Sequence, residues 1–265
     1  MDLVRAHVER LERALAESAR HFVRIQLALD PACGARVVDI AGHLVVDGGR
    51  HAGANISRVY GLGLTPPLDA ASLDAMMAFF VDDARRPRVF LTPFVDARTR
   101  ALLASRGFTS LRDDVVLGRA LDDGHTEPAP AGVVVTQATD ADAWSRVVVS
   151  AFGAEHEGAD TLRIRHAPFF AEPNATYVAT AFGEPAGGAV LARAGDVAYL
   201  LADGTRDEHR GRGVQRALIA ARLRDARAAG ARFAYAITAP DVTSERNYLR
   251  MGFARVCVAE IAVRA

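Results

Sequence analysis

The chain has 265 residues, of which 50% are apolar and 24% are charged, a composition typical of a globular protein with a sizeable core. All 32 basic residues are arginines, and 32 acidic residues balance them. The absence of lysine excludes phosphate-loop nucleotidases and enzymes that form a lysine Schiff base. The halves 1–125 and 126–265 each hold 16 arginines and 16 acids. This balance disfavours a nucleic-acid partner that would need a broad basic face.

Cysteine and histidine usage points to a reduced protein without a metal. Cys33 and Cys257 lie in different halves, and eight histidines are scattered without the spacing of zinc ligands. No apolar run approaches the roughly 18 residues that a membrane span needs, and the start does not resemble a signal peptide. We therefore expect a cytoplasmic protein with no metal and no membrane partner. The oligomeric state is not indicated.

The first half alternates helical and extended patterns. Apolar residues at helical spacing from Val4 to Phe22 predict a long helix that ends at Asp30-Pro31. We predict strands at 36–40, 43–46, 56–60, 88–92 and 114–117, and helices at about 65–80 and 96–107.

A polar, turn-rich segment from Asp122 to Pro130 predicts a linker between domains 1–125 and 131–265. In the second domain we predict strands at 133–136, 176–181, 189–192, 197–205, 233–238 and 256–263, and helices at 140–152, 213–229 and 244–251.

The two domains end in similar sequences. Gly107-Phe108 precedes Arg119-Ala120 by the same separation at which Gly252-Phe253 precedes Arg264-Ala265. Because a predicted helix and strand flank the Gly-Phe pair in both places, we favour an internal duplication of one α/β unit. The alternative is that the first domain is an unrelated α/β domain.

The most informative segment runs from Asp203 to Leu218, where a strand leads through a basic loop into a helix. Gly211 and Gly213 let the backbone turn tightly, and the first amides of a helix lack partners at its positive end. Residues 201–232 hold eight arginines against four acids. We interpret the loop as a cradle for a diphosphate. A dinucleotide-binding fingerprint would need glycine at Arg216, whereas a solvated turn remains the alternative.

Two motifs resemble the GNAT superfamily of N-acetyltransferases. Arg210-Gly211-Arg212-Gly213-Val214-Gln215 is similar to the family's acetyl-CoA motif, Arg/Gln-x-x-Gly-x-Gly/Ala, and Tyr248 to Phe253 is similar to its Tyr-x-x-x-Gly-Phe ending. The resemblance covers about 197–263. It implies an α/β fold of two tandem GNAT-like domains, each a mixed, mostly antiparallel central sheet flanked by helices. It also implies acetyl transfer from acetyl-CoA to a small-molecule or peptide amine.

The resemblance further implies a role for each matching residue. Amides of 211–216 would hold the CoA diphosphate, and the backbone at 203–205 would receive the pantetheine and acetyl group and stabilise the oxyanion. Tyr248, as a phenol near its ordinary pKa, would protonate the departing thiolate. The expected cofactor-binding residues are Asp203, Gly204, Thr205, Arg210, Gly211, Arg212, Gly213, Val214, Gln215 and Arg216.

Two residues depart from the family pattern. Gln215 stands where the family has glycine or alanine, which is tolerable if its side chain points away from the diphosphate. Asp241 stands where many members have an asparagine that contacts the cofactor, and its carboxylate would face an anionic ligand unfavourably. Asn247 could replace that contact.

The general base is not evident from the sequence. Glu155, His156 and Glu157 lie where the resemblance puts acceptor-binding residues, although a solvated loop would explain them as well. His209 is either a phosphate neighbour or a surface residue. An acyl-CoA-binding module without turnover therefore stays open. A nucleic-acid binder that uses the arginines of 216–227 also stays open.

The first domain looks like a degenerate copy without chemistry. Gly61-Leu62-Gly63-Leu64 occupies the place of the acetyl-CoA loop but has no arginine, and Leu103 occupies the place of Tyr248. Pro66-Pro67 would remove two amide donors from the loop.

Overall fold

The computed structural model describes residues 2–52, 56–65, 67–80, 87–121, 130–152 and 158–264. The chain forms two compact units, Met1–Val116 with Val256–Ala265, and Leu117–Arg255. These units differ from the predicted domains 1–125 and 131–265, because the last strand belongs to the first unit. Of the predicted linker from Asp122 to Pro130, only Pro130 lies within the described residues. None of the described helices combines the length and apolarity that crossing a bilayer demands.

The first unit begins with a long amphipathic helix, as predicted. Its elements are α1 (Asp2–Leu29), β1 (Arg36–Ile40), β2 (His43–Asp47), β3 (Arg58–Tyr60), α2 (Ala70–Phe79), β4 (Arg88–Leu91), α3 (Ala97–Ser105), β5 (Phe108–Ala120, which continues into the second unit) and β11 (Ala254–Arg264). Asp69 and Asp96 cap α2 and α3 by accepting from the amides of Ser72 and Thr99. Buried apolar side chains such as those of Val45, Leu73 and Leu103 form its core.

The strand order in this unit is β1-β2-β3-β4-β11-β5. The β3–β4 pair is parallel, and β1–β2, β2–β3 and β4–β11 are antiparallel. Glu260 of β11 lies opposite Leu91 of β4. This pairing explains why the last strand packs with the first unit although it follows the second unit in sequence.

The second unit is built on a mixed sheet with helices around it. Its elements are β6 (Val133–Gln137), α4 (Ala141–Phe152), α5 (Ala159–Phe170), β7 (Ala175–Ala181), β8 (Glu184–Ala194), β9 (Val197–Thr205), a 3₁₀ turn (Asp207–His209), α6 (Val214–Ala228), β10 (Phe233–Thr238) and α7 (Thr243–Arg250). The strand order is β10-β9-β8-β7-β6, with only the β9–β10 pair parallel among these. Each unit therefore has the mixed, mostly antiparallel sheet that was predicted.

Helix α5 was not predicted, because its apolar residues do not follow one helical face and Pro168 interrupts the pattern. Contacts with α4 stabilise it instead. Trp144, which is 1% exposed, packs edge-on against His166 and Phe170 at ring-centroid distances of 5.3 and 5.6 Å. Ser145 Oγ lies 2.7 Å from His166 Nδ1. Tertiary packing thus overrides a weak local signal.

Two irregularities of β9 shape the site. Its parallel pairing with β10 runs from Val197 to Leu200, whereas β9 continues to Thr205. On the other side, the register with β8 shifts after Leu201, and Ala202 adopts a left-handed φ of 54°. The strand therefore bulges beyond the end of its pairing with β10. On the side of β10, the backbone of β9 after Leu200 makes no ladder pairing with that strand.

Candidate active site

A cavity of about 960 Å³ lies in the second unit, where the end of β9 meets the beginnings of α6 and α7. Nine of the ten predicted cofactor-binding residues line this cavity, and Arg212 does not. The other lining residues are Ala151, Phe152, His209, Val242, Thr243, Ser244, Asn247 and Arg250. The fold thus brings the strand end and the basic loop, which were predicted as separate parts of one site, around a single space.

The loop before α6 needs glycine at two places. Gly211 and Gly213 have φ of 77° and 81°, in the left-handed region that disfavours other residues. A Cβ at Gly213 would also lie 2.8 Å from Cγ of Pro130. Gly213 is the N-cap of α6 and, within the described residues, no side chain caps this helix end. The first amides of α6 therefore face the cavity without an internal acceptor, which suits an anion.

Charges around the cavity also favour an anionic ligand. Arg210, Arg216 and Arg250 are among the lining residues, whereas Asp203 supplies the only lining carboxylate within the described part of the chain. That carboxylate is already compensated, because its Oδ1 lies 2.5 Å from Nη1 of Arg222. The cavity is therefore positive at the loop, and it fits a ligand with phosphate groups.

Tyr248 lies beside the cavity rather than on its wall. Its side chain is 2% exposed, and its hydroxyl donates a 2.5 Å hydrogen bond to Oδ2 of Asp203. Burial, and secondly the charge of Asp203, raise the pKa of Tyr248 well above its usual value. The expectation of a phenol near its ordinary pKa is therefore wrong, because this hydroxyl is desolvated and held by a carboxylate.

Gln215 lines the cavity, and its side chain is directed towards α7. Its Nε2 donates to Ser244 Oγ at 2.8 Å, and its Oε1 accepts from Asn247 Nδ2 at 2.8 Å. Nε2 also lies 3.4 Å from Oδ2 of Asp203. Gln215 therefore connects α6 to α7 and positions Asn247 and Asp203 on the cavity wall.

Asp241 was expected to turn its carboxylate towards the anionic ligand. That expectation is wrong, because Asp241 does not line the cavity. Its Oδ1 lies 3.0 Å from Nη2 of Arg255, and its backbone amide donates to Oε2 of Glu245 at 2.6 Å. Asp241 has a left-handed φ of 60°, which aspartate tolerates better than most residues. It shapes the turn before α7, and an arginine compensates its charge.

Residues 141–253 match the model of the Acetyltransferase (GNAT) family. This segment belongs to the GNAT family of acetyltransferases. The GNAT segment contains every described residue that lines the cavity, from Ala151 to Arg250. The chain therefore carries an acyltransferase domain, and the resemblance inferred from Arg210–Gln215 and Tyr248–Phe253 is confirmed.

Solved structures extend the likeness of fold to most of the chain. A GCN5-related N-acetyltransferase from Kribbella flavida is 20% identical, with a TM-score of 0.67 over 91% of this chain and 95% of its own. A GCN5-related N-acetyltransferase from Sphaerobacter thermophilus is 16% identical, with a TM-score of 0.60 over 86% of this chain and 75% of its own. A tandem GNAT protein from the clavulanic acid biosynthesis pathway is 17% identical, with a TM-score of 0.53 over 73% of this chain and 67% of its own. These likenesses show the tandem GNAT fold. A search of the curated proteins finds no relative of this chain.

The three candidate bases of the GNAT domain, Glu155, His156 and Glu157, lie outside the described residues. Phe152, immediately before them, lines the cavity, and its ring would lie 3.3 Å from a Cβ placed on Gly204. His209 is 3% exposed and also lines the cavity, so the interpretation of His209 as a surface residue is wrong.

The arginines of α6 do not form one exposed face. Arg222 is 0% exposed and donates to the carbonyls of Leu218 and Val190 at 3.0 Å. A row of phosphate contacts that includes Arg222, as a nucleic-acid binder would need, is therefore not available on this helix. Among the described residues, no cluster of three histidine, cysteine or acidic side chains could hold a metal ion.

In the first unit, the loop that was compared with the acetyl-CoA loop in sequence is closed by side chains of that unit. The amide of Gly61 donates to Oε2 of Glu12 at 2.9 Å, and Arg58 pairs with the same carboxylate. A Cβ at Gly63 would lie 2.6 Å from the backbone of Val95. Leu103, at the place of Tyr248, belongs to the core. Pro66 lies outside the described residues.

Proposed function

We propose that the GNAT domain transfers the acetyl group of acetyl-CoA to the amine of a small molecule or peptide by direct attack on the thioester. The observation that carries this proposal is the uncapped start of α6, which faces a cavity lined by Gly211, Gly213 and three arginines. Backbone amides of 211–216 would bind the diphosphate, with Arg210 and Arg216 beside them. This binding needs no lysine, because its donors belong to the backbone and to arginine.

The acetyl group would lie at the unpaired end of β9, near Asp203, Gly204 and Thr205. A backbone N–H there would stabilise the oxyanion that forms when the amine attacks the thioester carbon. The C–N bond forms, the C–S bond breaks, and the proton lost by the amine passes to a base. Glu155, His156 and Glu157 remain the candidates for that base. No covalent intermediate is proposed, since neither Cys33 nor Cys257 lines the cavity.

Tyr248 is the proposed proton donor to the departing thiolate. Its raised pKa makes it a weaker acid than an ordinary phenol, so the proton must move as the C–S bond breaks. Arg222 lies against the Tyr248 hydroxyl and would stabilise the phenolate that remains. Asp203, which accepts the hydrogen bond, holds the hydroxyl in place until transfer.

Calorimetric titration with acetyl-CoA tests the proposal, with Gly213→Ala and Gly213→Glu as variants. Gly230→Ala is the matched control, because Gly230 has φ of 84° beyond the other end of α6 and a Cβ there meets nothing within 4 Å. Both alanine variants carry the backbone strain, but only the one at Gly213 changes the cavity. We expect the Gly213 variants to lose binding and the control to retain it. The proposal would be refuted if the unmodified protein did not bind acetyl-CoA at millimolar concentration. It would also be refuted if the Gly230→Ala control lost as much affinity as the Gly213 variants.

Turnover is tested separately by following thiol release across a panel of amines. Release that depends on the amine is the expected result. Binding without release from any amine would favour the alternative of an acyl-CoA-binding module.

A further inference from the structure

His209 has an unusual environment for a buried histidine. It ends the 3₁₀ turn between β9 and α6, is 3% exposed and lines the cavity. Within the part of the chain that the structure describes, neither of its ring nitrogens has a hydrogen-bond partner. Leaving such a group unsatisfied is unfavourable, because its hydrogen bonds to water are lost on folding and not replaced. The free protein thus carries a polar ring at the cavity whose bonding capacity is unused.

No other group of the described residues supplies a hydrogen bond to the ring. Glu184 has its Oε2 3.8 Å from Nε2 of His209, which is too far for a hydrogen bond, and its side chain is 74% exposed. The backbone around the ring is fixed, because the His209 amide donates to the Arg206 carbonyl at 2.9 Å and the Arg210 amide donates to the Asp207 carbonyl at 3.2 Å. The ring is therefore placed by the turn and not by a partner of its own.

The charged side chains of the same loop are engaged elsewhere. Arg206 pairs with Glu208 at 2.8 Å, and Arg210 pairs with Asp207 at 2.6 Å. The guanidinium of Arg212 lies 5.1 Å from the centre of the Phe182 ring. Among residues 206–212, His209 thus lines the cavity as a buried hydrogen-bond donor. It has no acceptor within the described part of the chain.

We propose that His209 is a cosubstrate-binding residue that donates a hydrogen bond from a ring nitrogen to a diphosphate oxygen of the acyl-CoA. The inference rests on the proposed function. An imidazole always carries at least one N–H donor, and a phosphate oxygen accepts from it whether the ring is neutral or protonated. Binding supplies the bond that the folded protein lacks, so part of the ligand affinity comes from relieving an unsatisfied buried group.

The test compares His209→Phe with the unmodified protein in binding acetyl-CoA and S-acetylpantetheine, which lacks the diphosphate. We expect the variant to bind acetyl-CoA about 10-fold or more weakly. Binding of S-acetylpantetheine, followed by ligand-observed NMR, should not change. Glu184→Gln is the matched control and should bind acetyl-CoA as the unmodified protein does. Unchanged acetyl-CoA affinity in His209→Phe, or an equal loss for both ligands, would overturn the inference.

Two further measurements separate a binding role from a structural one. Without ligand, His209→Phe should unfold at the same temperature as the unmodified protein or higher, because the unsatisfied ring is gone. A clearly lower temperature would mean that the imidazole supports the fold. In the unmodified protein, the ring nitrogen resonances of His209 should shift on addition of acetyl-CoA, and unshifted resonances would also refute the contact. Failure of the unmodified protein to bind acetyl-CoA would instead refute the proposed function.

Discussion

The hydroxyl of Tyr248 donates to Oδ2 of Asp203 at 2.5 Å, while Oδ1 of the same carboxylate pairs with the buried Arg222. The residue proposed to give up a proton is thus bound by the only cavity-lining carboxylate in the described part of the chain. A phenolate at this place would be repelled by Asp203 and attracted by Arg222. The three side chains therefore set the energy of proton transfer together, and none of them acts alone.

Tyr248→Phe should lower kcat about 100-fold and leave acetyl-CoA affinity within about twofold, because the hydroxyl is removed while the cavity wall is kept. Steady-state kinetics and calorimetry measure the two effects. Tyr177→Phe is the matched control. Tyr177 is also buried, and its hydroxyl donates a 2.9 Å hydrogen bond to the carboxylate of Asp225. Tyr177 does not line this cavity. The control should keep its kcat. If Tyr248→Phe turns over as fast as the control, Tyr248 is not the proton donor.

Asp241→Asn should change acetyl-CoA affinity by less than about twofold, because the carboxylate pairs with Arg255 and does not line the cavity. Asparagine also tolerates the left-handed φ of this position. Calorimetric titration beside the unmodified protein measures the effect. A gain in affinity of about 10-fold would show instead that the Asp241 carboxylate repels the bound ligand.

The protein should lose stability at alkaline pH through its buried phenols. Burial raises the pKa of Tyr60 to about 12, and burial together with the charge of Asp203 raises the pKa of Tyr248 well above 10. Since the folded state keeps these protons when the unfolded state releases them, the stabilisation is complete below about pH 10 and is lost as the pH rises through the folded-state values.

Urea unfolding at about pH 8 and about pH 11.5 measures this loss, and tyrosinate absorbance follows the ionisation itself. Raising the pKa of Tyr60 from 10 to about 12 corresponds to a loss of roughly 3 kcal/mol in the free energy of unfolding once the pH exceeds both values. Tyr60→Phe should therefore weaken the pH dependence. Ionisation of all five tyrosines near pH 10 without unfolding would contradict the expected burial effect.

Ala202→Gly should stabilise the second unit by up to about 1 kcal/mol. The left-handed φ of 54° at the β9 bulge costs alanine about 1–2 kcal/mol, part of which glycine loses again through the entropy of the unfolded chain. Ala41→Gly, at φ of 50° in the first unit, should behave alike and serves as the comparison. Thermal unfolding gives the result. A lower midpoint for Ala202→Gly would mean that the methyl group contributes more than the strain costs.

Local features were readable from the sequence, and long-range ones were not. The β9, loop and α6 segment follows from a strand pattern, two glycines and a helix pattern that lie side by side. The Tyr248–Asp203 hydrogen bond joins residues 45 positions apart, and the burial of His209 depends on the packing of the 3₁₀ turn against β8. Neither relationship leaves a mark in local periodicity. The pairing of β11 with β4, which groups the last strand with the first unit, is a long-range relationship of the same kind.

The place of β11 in the chain has a consequence during synthesis. Residues 117–255 leave the ribosome before 256–265, so the unit that holds the GNAT cavity has its whole sequence available while the first unit still lacks a strand between β4 and β5. The first unit can therefore complete its sheet only after the whole sequence of the second unit has been synthesised. Until β11 has been synthesised, β4 and β5 lack the strand that lies between them in the sheet.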